Sequence, residues 1–253
     1  MKKILFLIFP FFINSCAFFK HGFSENVSTG KIIKKYNLKD QSGDFIVNRE
    51  SGYNSKKKIY IVKRKVYSKN NLNKEFEKSI SISEYGYLKK QSLLRPKISQ
   101  YTVWFEGKKY FTEMKIDIKT KSLVVKMKSP EEQWSGVQNV PFPKGTGVYC
   151  FMSQIIECVR ATKFISMATS KGGGRMNFHL IFDGYPYFQE QCLNIPKTVF
   201  TNATFVYDGK AENGERRFSL MFGDQTIFYF VNDKSELSKT FWVSQGLSMI
   251  SNK

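Results

Sequence analysis

The chain has 253 residues, of which 42% are hydrophobic, and its 24 Phe and 13 Tyr supply enough apolar mass for a real core, which excludes global disorder. The high aromatic content, with only 7 Pro, favours a β-rich protein. The formal net charge is +19, so anionic partners are expected.

The N-terminus has the pattern of a secretory signal peptide. Two lysines precede an uncharged, mainly apolar run over residues 4–13, which is too short to cross a bilayer as a helix. The run leads into Ser15-Cys16, which resembles the bacterial lipobox, where a small residue precedes a cysteine that becomes the lipid-bearing N-terminus. The resemblance implies removal of residues 1–15 and acylation of Cys16, with palmitate among the acyl chains. An ordinary signal peptide with an incidental cysteine is the alternative.

The same resemblance implies where the protein works. A lipidated cysteine places it in the cell envelope, and Ala17 after that cysteine points to the periplasmic face of the outer membrane. Residues 16–30 are expected to form a polar tether, and residues 31–253 a single β-rich domain. The expected partners are the membrane, through the anchor, together with a lipid, an anionic envelope polymer or an envelope protein. No nucleic acid is expected.

Positive charge is concentrated in the first half of the chain. Residues 20–130 contain 26 basic and 10 acidic residues, whereas residues 131–253 contain 12 and 11. Each basic residue near an anionic membrane contributes about 1 kcal/mol to binding. The candidate anion contacts form two short runs, Lys56, Lys57, Lys58, Lys63, Arg64 and Lys65. The alternative is that these residues only solvate exposed strand faces.

Alternation of apolar and polar residues, with turn residues between the segments, predicts two sets of strands. The first set comprises residues 58–67, 78–85, 101–105, 110–118 and 123–127. The second set comprises residues 176–182, 198–207, 217–222, 226–231 and 238–244. Short turns between neighbouring strands favour an antiparallel meander. The predicted fold is therefore mainly β, with a large curved antiparallel sheet or half-barrel.

A Pro/Gly-rich loop over residues 140–147 separates the two sets. After it, apolar residues recur with helical spacing at 148, 151, 152, 155, 156 and 159. The spacing predicts one amphipathic helix at about 147–162, docked on the sheet by its apolar stripe.

Three cysteines remain if Cys16 carries lipid. Cys150 and Cys158 are eight residues apart, which corresponds to about 12 Å along a helix axis and exceeds the roughly 7 Å limit between the Cα atoms of a disulfide. If a disulfide forms, Cys192 is therefore the expected partner, with Cys158 or with Cys150. Buried free thiols are the alternative.

The sequence contains no motif that names a reaction. Of the two histidines, His21 falls in the tether and His179 on a predicted strand, where a lone histidine is most often structural. The glycine cluster at 172–174 suits a turn better than an anion-binding nest. Metal-ligand spacing is absent and no cofactor is expected. These features favour a non-catalytic role.

The order of elements resembles the periplasmic half-barrel lipoproteins and carriers, in which a curved antiparallel sheet is part-closed by a helix. The segments that carry the resemblance are Pro141-Phe142-Pro143, the apolar stripe at 148–159 and the final hairpin at 228–243. The resemblance implies a hydrophobic ligand, which needs a cavity of about 300 Å³ or more. The candidate ligand-face aromatics are Trp104, Phe105, Tyr110, Phe111 and Phe228. The alternative is that they fill a core.

Two functional hypotheses follow. The first is an envelope lipoprotein that acts as a binding module for a lipid or another amphiphile. The second is a structural or assembly lipoprotein that binds cell wall or another envelope protein. A hydrolase whose carboxylates come from distant parts of the chain is a weaker third, because such a site leaves no local motif.

Overall fold

The fold is that of a computed structural model, which describes residues 30–40, 43–88, 91–144 and 147–252. The signal peptide, Cys16 and nearly all of the tether therefore lie outside the described residues. In the described part of the chain, no helix is long and apolar enough to cross a membrane.

The described residues form fifteen strands and three α-helices. The strands are β1 (Gly30–Asp40), β2 (Gly43–Asn54), β3 (Ile59–Ser68), β4 (Glu75–Leu88), β5 (Gln91–Phe105), β6 (Lys108–Asp117), β7 (Ser122–Lys128), β8 (Gly136–Pro141), β9 (Tyr149–Phe151), β10 (Arg175–Ile181), β11 (Phe200–Lys210), β12 (Arg216–Phe222), β13 (Gln225–Val231), β14 (Leu237–Trp242) and β15 (Leu247–Ser251). The helices are α1 (Ile155–Ala161), α2 (Phe164–Lys171) and α3 (Tyr187–Glu190), and three single 3-10 turns lie at Glu132–Trp134, Met152–Gln154 and Val243–Gln245.

All fifteen strands belong to one sheet, in the order β8-β7-β6-β5-β4-β3-β2-β1-β15-β14-β13-β12-β11-β10-β9. Each neighbouring pair is antiparallel, apart from β9 and β10, which are parallel and are joined through α1 and α2. The chain winds outward from β1 to the edge strand β8, crosses to β9, and returns to β1 through β15. The predicted fold class is thereby confirmed.

The sheet curls until its two ends face each other. Met114, Leu123 and Val125, from β6 and β7, share a buried cluster with Phe151 of β9 and Ile181 of β10. These strands lie near opposite edges of the sheet, whose edge strands β8 and β9 are not hydrogen-bonded to each other. Side-chain packing therefore closes the gap between the two edges. Burial of this apolar surface holds the half-barrel in its curved form.

The main core lies between the second half of the sheet and the helices. Phe205 and Phe218 stack at 5.3 Å between ring centroids, and Phe164 of α2 packs edge-on against both. On β13, Ile227, Tyr229 and Val231 are buried, as a strand with one face on the core requires. The concave face is therefore filled by α1 and α2 along most of the second half of the sheet.

Each of the ten predicted strands matches an observed strand to within a few residues, except that β5 begins ten residues before the predicted start at 101. Five strands have no counterpart in the prediction, namely β1, β2, β8, β9 and β15. In β8 the residues are exposed at every position except the half-buried Val140, so this strand has no apolar alternation to detect.

The helix predicted at 147–162 is only partly correct. Tyr149–Phe151 form strand β9, and α1 begins at Ile155. Ile155 and Val159 are buried, so the apolar spacing does mark a docked helix, although a shorter one. A second helix, α2, which the spacing does not predict, follows at once and ends at Gly172 in the left-handed conformation that glycine adopts easily.

The expected pairing of Cys192 with Cys158 or Cys150 is wrong. The structure joins Cys150 to Cys158, with 5.9 Å between their Cα atoms, and leaves Cys192 as a free thiol. The helical distance argument fails because Cys150 lies on β9 and only Cys158 lies on α1. The disulfide therefore ties an edge strand to the helix that fills the half-barrel.

Replacing both Cys150 and Cys158 by Ala should lower the free energy of unfolding by about 2.5 kcal/mol, the chain-entropy value for a loop of about nine residues. Urea denaturation measures this loss. A reducing agent should lower the stability of the wild type by a similar amount and leave the double variant unchanged. Equal sensitivity of both proteins to the reductant would contradict the assigned pair.

Candidate functional site

A cavity of about 160 Å³ lies inside the curved sheet, between strands β1–β5 on one side and strands β13–β15 on the other. It is also lined by the 3-10 turn Met152–Gln154 and α1, together called the α1 segment. Its apolar wall is formed by Leu38, Met152, Ile155, Ile156, Phe188, Ile227, Tyr229, Leu237, Trp242, Leu247 and Met249. Its polar wall is formed by Arg49, Arg64, Glu77, Ser79, Tyr101, Ser153, Asp183 and Thr240. The polar groups come mainly from β2 to β5, and most of the apolar groups come from β13 to β15 and the α1 segment, so the cavity has two chemically distinct sides.

The polar side arises because β4 directs hydrophilic residues inward. Ser79 lies opposite Tyr101 of β5, and Ser81 lies opposite Ser99, on the face towards the cavity. Glu77 of the same strand accepts a hydrogen bond from Arg64 Nη1 of β3. A sheet that only enclosed a core would place apolar residues at these inward-facing positions of β4. The polar wall is therefore the candidate functional feature of the cavity.

A second ion pair fixes α1 across the interior. Arg49 Nη2 donates to both carboxylate oxygens of Glu157 at 2.8 Å and to the Ser153 carbonyl at 3.2 Å. Burial acts to lower the pKa of Arg49, but the charge and hydrogen bonds of Glu157 outweigh it, and the net pKa is raised. Arg49 therefore stays charged inside the half-barrel, paired with the Glu157 carboxylate.

Asp183, directly after β10 and the core residue Phe182, is a buried carboxylate held by serines. Its Oδ2 accepts hydrogen bonds from Ser81 Oγ, at 2.6 Å, and from Ser153 Oγ, and its Oδ1 accepts one from the Ser153 backbone N–H at 3.2 Å. Its backbone carbonyl accepts one from Ser99 Oγ at 3.0 Å. These contacts join β4 and the 3-10 turn before α1 to the carboxyl group of Asp183, and β5 to its backbone.

Gly184 brings two aromatic rings up to this carboxylate. A Cβ at Gly184 would lie 3.0 Å from the Tyr101 ring and 2.8 Å from Phe188 Cβ, so only glycine fits between them. The Tyr101 and Phe188 rings meet edge-on, with 6.4 Å between centroids, and both line the cavity. The lining of the cavity around Gly184 therefore includes an acidic residue, Asp183, and two aromatic residues, Tyr101 and Phe188.

Burial raises the pKa of Asp183 above its ordinary value, although hydrogen bonds from Ser153 and Ser81 act to lower it. Its negative charge in turn acts to raise the pKa values of Arg64 and Tyr101. A carboxyl whose pKa is higher in the folded than in the unfolded state stabilises the fold most at low pH and loses that contribution as pH rises through the folded pKa.

The stability of the wild type, measured relative to Asp183→Asn, should therefore fall as pH rises from about 4, the unfolded pKa of Asp, through the raised folded pKa of Asp183. The Asn side chain has no proton to lose, so it removes this titration while its amide oxygen can still accept the Ser153 N–H bond. Urea denaturation of both proteins across this range tests the prediction. A difference that rises with pH would show that hydrogen bonding, and not burial, dominates at Asp183.

None of the five predicted ligand-face aromatics, Trp104, Phe105, Tyr110, Phe111 and Phe228, lines the cavity. Phe228 lies between the inward-facing Ile227 and Tyr229, so strand alternation turns it to the outer face, where Arg217 lies over its ring. Trp104 and Phe111 face outward for the same reason. Phe105 and Tyr110 pack in a separate aromatic cluster with Tyr187. For Trp104, Phe111 and Phe228 the difference is one step of alternation, whereas the other two lie in another part of the sheet.

The candidate anion contacts also divide between two places. Residues 56–58 are exposed in the turn between β2 and β3. Lys65 is exposed 3.8 Å from Glu75, and Lys63 is half-buried. Arg64 is wrong as a surface contact, because consecutive strand residues alternate and it points into the cavity wall, where it pairs with Glu77.

Other residues that the sequence singles out lie away from the cavity. His179 stacks on Tyr149 with 4.9 Å between ring centroids, and His21 is outside the described residues. The cluster at 172–174 is the turn that connects α2 to β10. Burial raises the pKa of Cys192 to about 12, which keeps its thiol protonated. Among the described residues, no three His, Cys, Asp or Glu side chains are grouped to hold a metal ion.

The cavity is smaller than the roughly 300 Å³ expected of a lipid carrier. Its volume is close to that of an engineered protein cavity of about 150 Å³ that binds benzene. A single ring or a short alkyl chain therefore matches the space, whereas a whole lipid exceeds it.

No family model matches the chain, and no curated protein matches it. The chain is similar in fold to the crystal structure of a beta-barrel-like protein of the domain of unknown function DUF1849 from Brucella abortus, with a TM-score of 0.43 and 9% sequence identity. The similarity covers 88% of this chain and 94% of that chain. The function proposed below therefore depends on the geometry of the cavity.

Proposed function

We propose that this protein is a non-catalytic binding module of the cell envelope that holds a small amphiphile, or the end of an acyl chain, in the interior cavity. The supporting observation is the division of the cavity into an apolar wall and a polar wall. Ligand sites in proteins have this composition, with mostly apolar lining and a few placed polar groups that orient the ligand. An interior that only had to be filled by side chains would not need buried charged groups.

The proposal is tested by filling the cavity. Thr240 is buried and lines it, whereas Thr226 lies on the outer face, one residue before the inward-facing Ile227. Thr240→Phe places a ring in the cavity, and Thr226→Phe makes the same chemical change outside it. Native mass spectrometry of protein purified from its own cells should show a non-covalent adduct in the wild type and in Thr226→Phe.

Thr240→Phe should lose that adduct while it keeps a cooperative unfolding transition. An adduct of equal intensity in Thr240→Phe, or a bare mass in all three proteins, would argue against binding in this cavity.

The envelope location is also a proposal, and its support is the Ser15-Cys16 pattern after the apolar run. Labelled palmitate should enter the wild type and Cys192→Ser, and it should not enter Cys16→Ser. Label in Cys16→Ser would contradict anchoring through this residue. The exposed lysines at 56–58 would then lie on the anchored domain, where they add attraction to anionic lipid.

A further inference from the structure

The charged groups around the cavity do not balance. Arg49 is paired with Glu157, and Arg64 is paired with Glu77. Asp183 is left over, since no lysine or arginine nitrogen in the described ranges lies within the 4.0 Å limit of an ion pair with it. Among the described residues, Asp183 therefore faces the cavity without a direct ion pair, and Arg64 acts on it only at longer range.

Burial raises the pKa of Asp183, whereas its hydrogen bonds suit the ionised form, so a cation bound at the carboxylate would offset the cost of ionisation. The Ser153 backbone N–H can only donate, and the hydroxyls of Ser81 and Ser153 both reach Oδ2. A carboxylate is an acceptor at each of its oxygens, so the donors around it support negative charge. A buried carboxylate of this kind attracts a cation because the surroundings do not screen it as water does.

The walls next to Asp183 favour an organic cation. The Tyr101 ring and Phe188 Cβ both approach Gly184, the residue that follows Asp183, and both residues line the cavity. Aromatic faces attract cations through their quadrupole, most strongly when the cation is desolvated. Beyond these rings, Tyr229 and Trp242 continue the apolar wall, where an alkyl chain finds contacts that a hydrated metal ion does not use.

We propose that the cavity selects primary alkylammonium ligands, with the ammonium group at the Asp183 carboxylate, beside Tyr101 and Phe188, and the alkyl chain against the apolar wall. This inference rests on the proposed function and specifies the ligand class of the same site. A site with this preference differs from one that binds neutral or anionic amphiphiles equally well.

The test compares three ligands of one chain length, hexylamine, hexan-1-ol and hexanoate, by isothermal titration calorimetry at neutral pH. Hexylamine is cationic there, the alcohol is neutral and hexanoate is anionic. Hexylamine should bind about tenfold more tightly than the alcohol, because hydrogen bonds to charged groups are stronger than neutral ones, and hexanoate should bind most weakly.

Asp183→Asn should bring the affinities of hexylamine and hexan-1-ol to within about threefold of each other. Binding of the alcohol to this variant also shows that the variant is folded. If the variant does not fold, the order of the three affinities in the wild type decides whether the cavity prefers a cation. An alcohol that binds as tightly as the amine would overturn the cation preference and leave the proposed function standing. Failure of all three ligands to bind would instead reject the proposed function, and the preference with it.

Discussion

Arg49→Met should lower the free energy of unfolding by about 3–5 kcal/mol, the usual loss when one partner of a buried ion pair is removed. The Glu157 side chain is only 5% exposed, and Arg49 supplies both of its hydrogen bonds from a side chain that is 14% exposed. Without Arg49, Glu157 is left as a buried charge with no partner. Urea denaturation measures the loss.

The double variant Arg49→Met/Glu157→Met should recover most of that stability, because it removes both charges and keeps apolar volume at the interface between α1 and β2. Lys39→Met is the exposed control. Its ammonium lies 3.6 Å from Asp44 in a pair that is well exposed on the surface, so its loss should stay below about 1 kcal/mol. A double variant no more stable than Arg49→Met would show that the pair does not act as a unit.

Phe205→Ala should lower the free energy of unfolding by about 3–5 kcal/mol, the range for removal of a fully buried aromatic side chain. Phe205 has no exposed surface, stacks on Phe218 and contacts Tyr229, which forms part of the cavity wall. The variant leaves a void between the sheet and α2 that the neighbouring rings cannot fill completely. Urea denaturation measures the loss, and an unchanged dependence of the unfolding free energy on urea concentration would show that the variant still unfolds from a native-like state.

Phe228→Ala is the matched control, since it makes the same substitution at an aromatic that faces outward. Its loss should be about half as large, because Phe228 is only half-buried and its removal leaves no enclosed void. This pair of variants also tests the direction of β13, on which Phe228 would line the cavity if the strand were turned over. A larger loss for Phe228→Ala than for Phe205→Ala would contradict the observed register.

The sequence predicts the strands well because alternation and turn residues are local properties. Residues 226–231 are an example, because buried and half-buried side chains alternate along β13 with the period of two that predicts a strand. Alternation does not say which face is buried, because that depends on pairing with distant strands. On β4 the serines face inward and Ile80 faces outward, so apolar character alone would assign the wrong face of the strand.

The site was beyond sequence reasoning for the same reason. Arg64 and Glu77 are paired across neighbouring strands, but Arg49 meets Glu157 across 108 positions, and Asp183 meets Ser81 across 102. No spacing rule joins residues at such separations. The run Glu77-Lys78-Ser79-Ile80-Ser81-Ile82-Ser83 contains the one usable signal, since a strand with serine at every second position requires partners if that face is buried.

The measurement that bears most directly on binding in the cavity is the fluorescence of Trp242, which lines the apolar wall. Trp104→Phe/Trp134→Phe leaves it as the sole tryptophan of the chain's three. Titration of this protein with hexylamine should shift its emission along a saturable curve with one site. Adding Thr240→Phe should abolish the shift, and adding Thr226→Phe should leave it unchanged. A response that never saturates, or one that Thr240→Phe leaves intact, would contradict binding in the cavity.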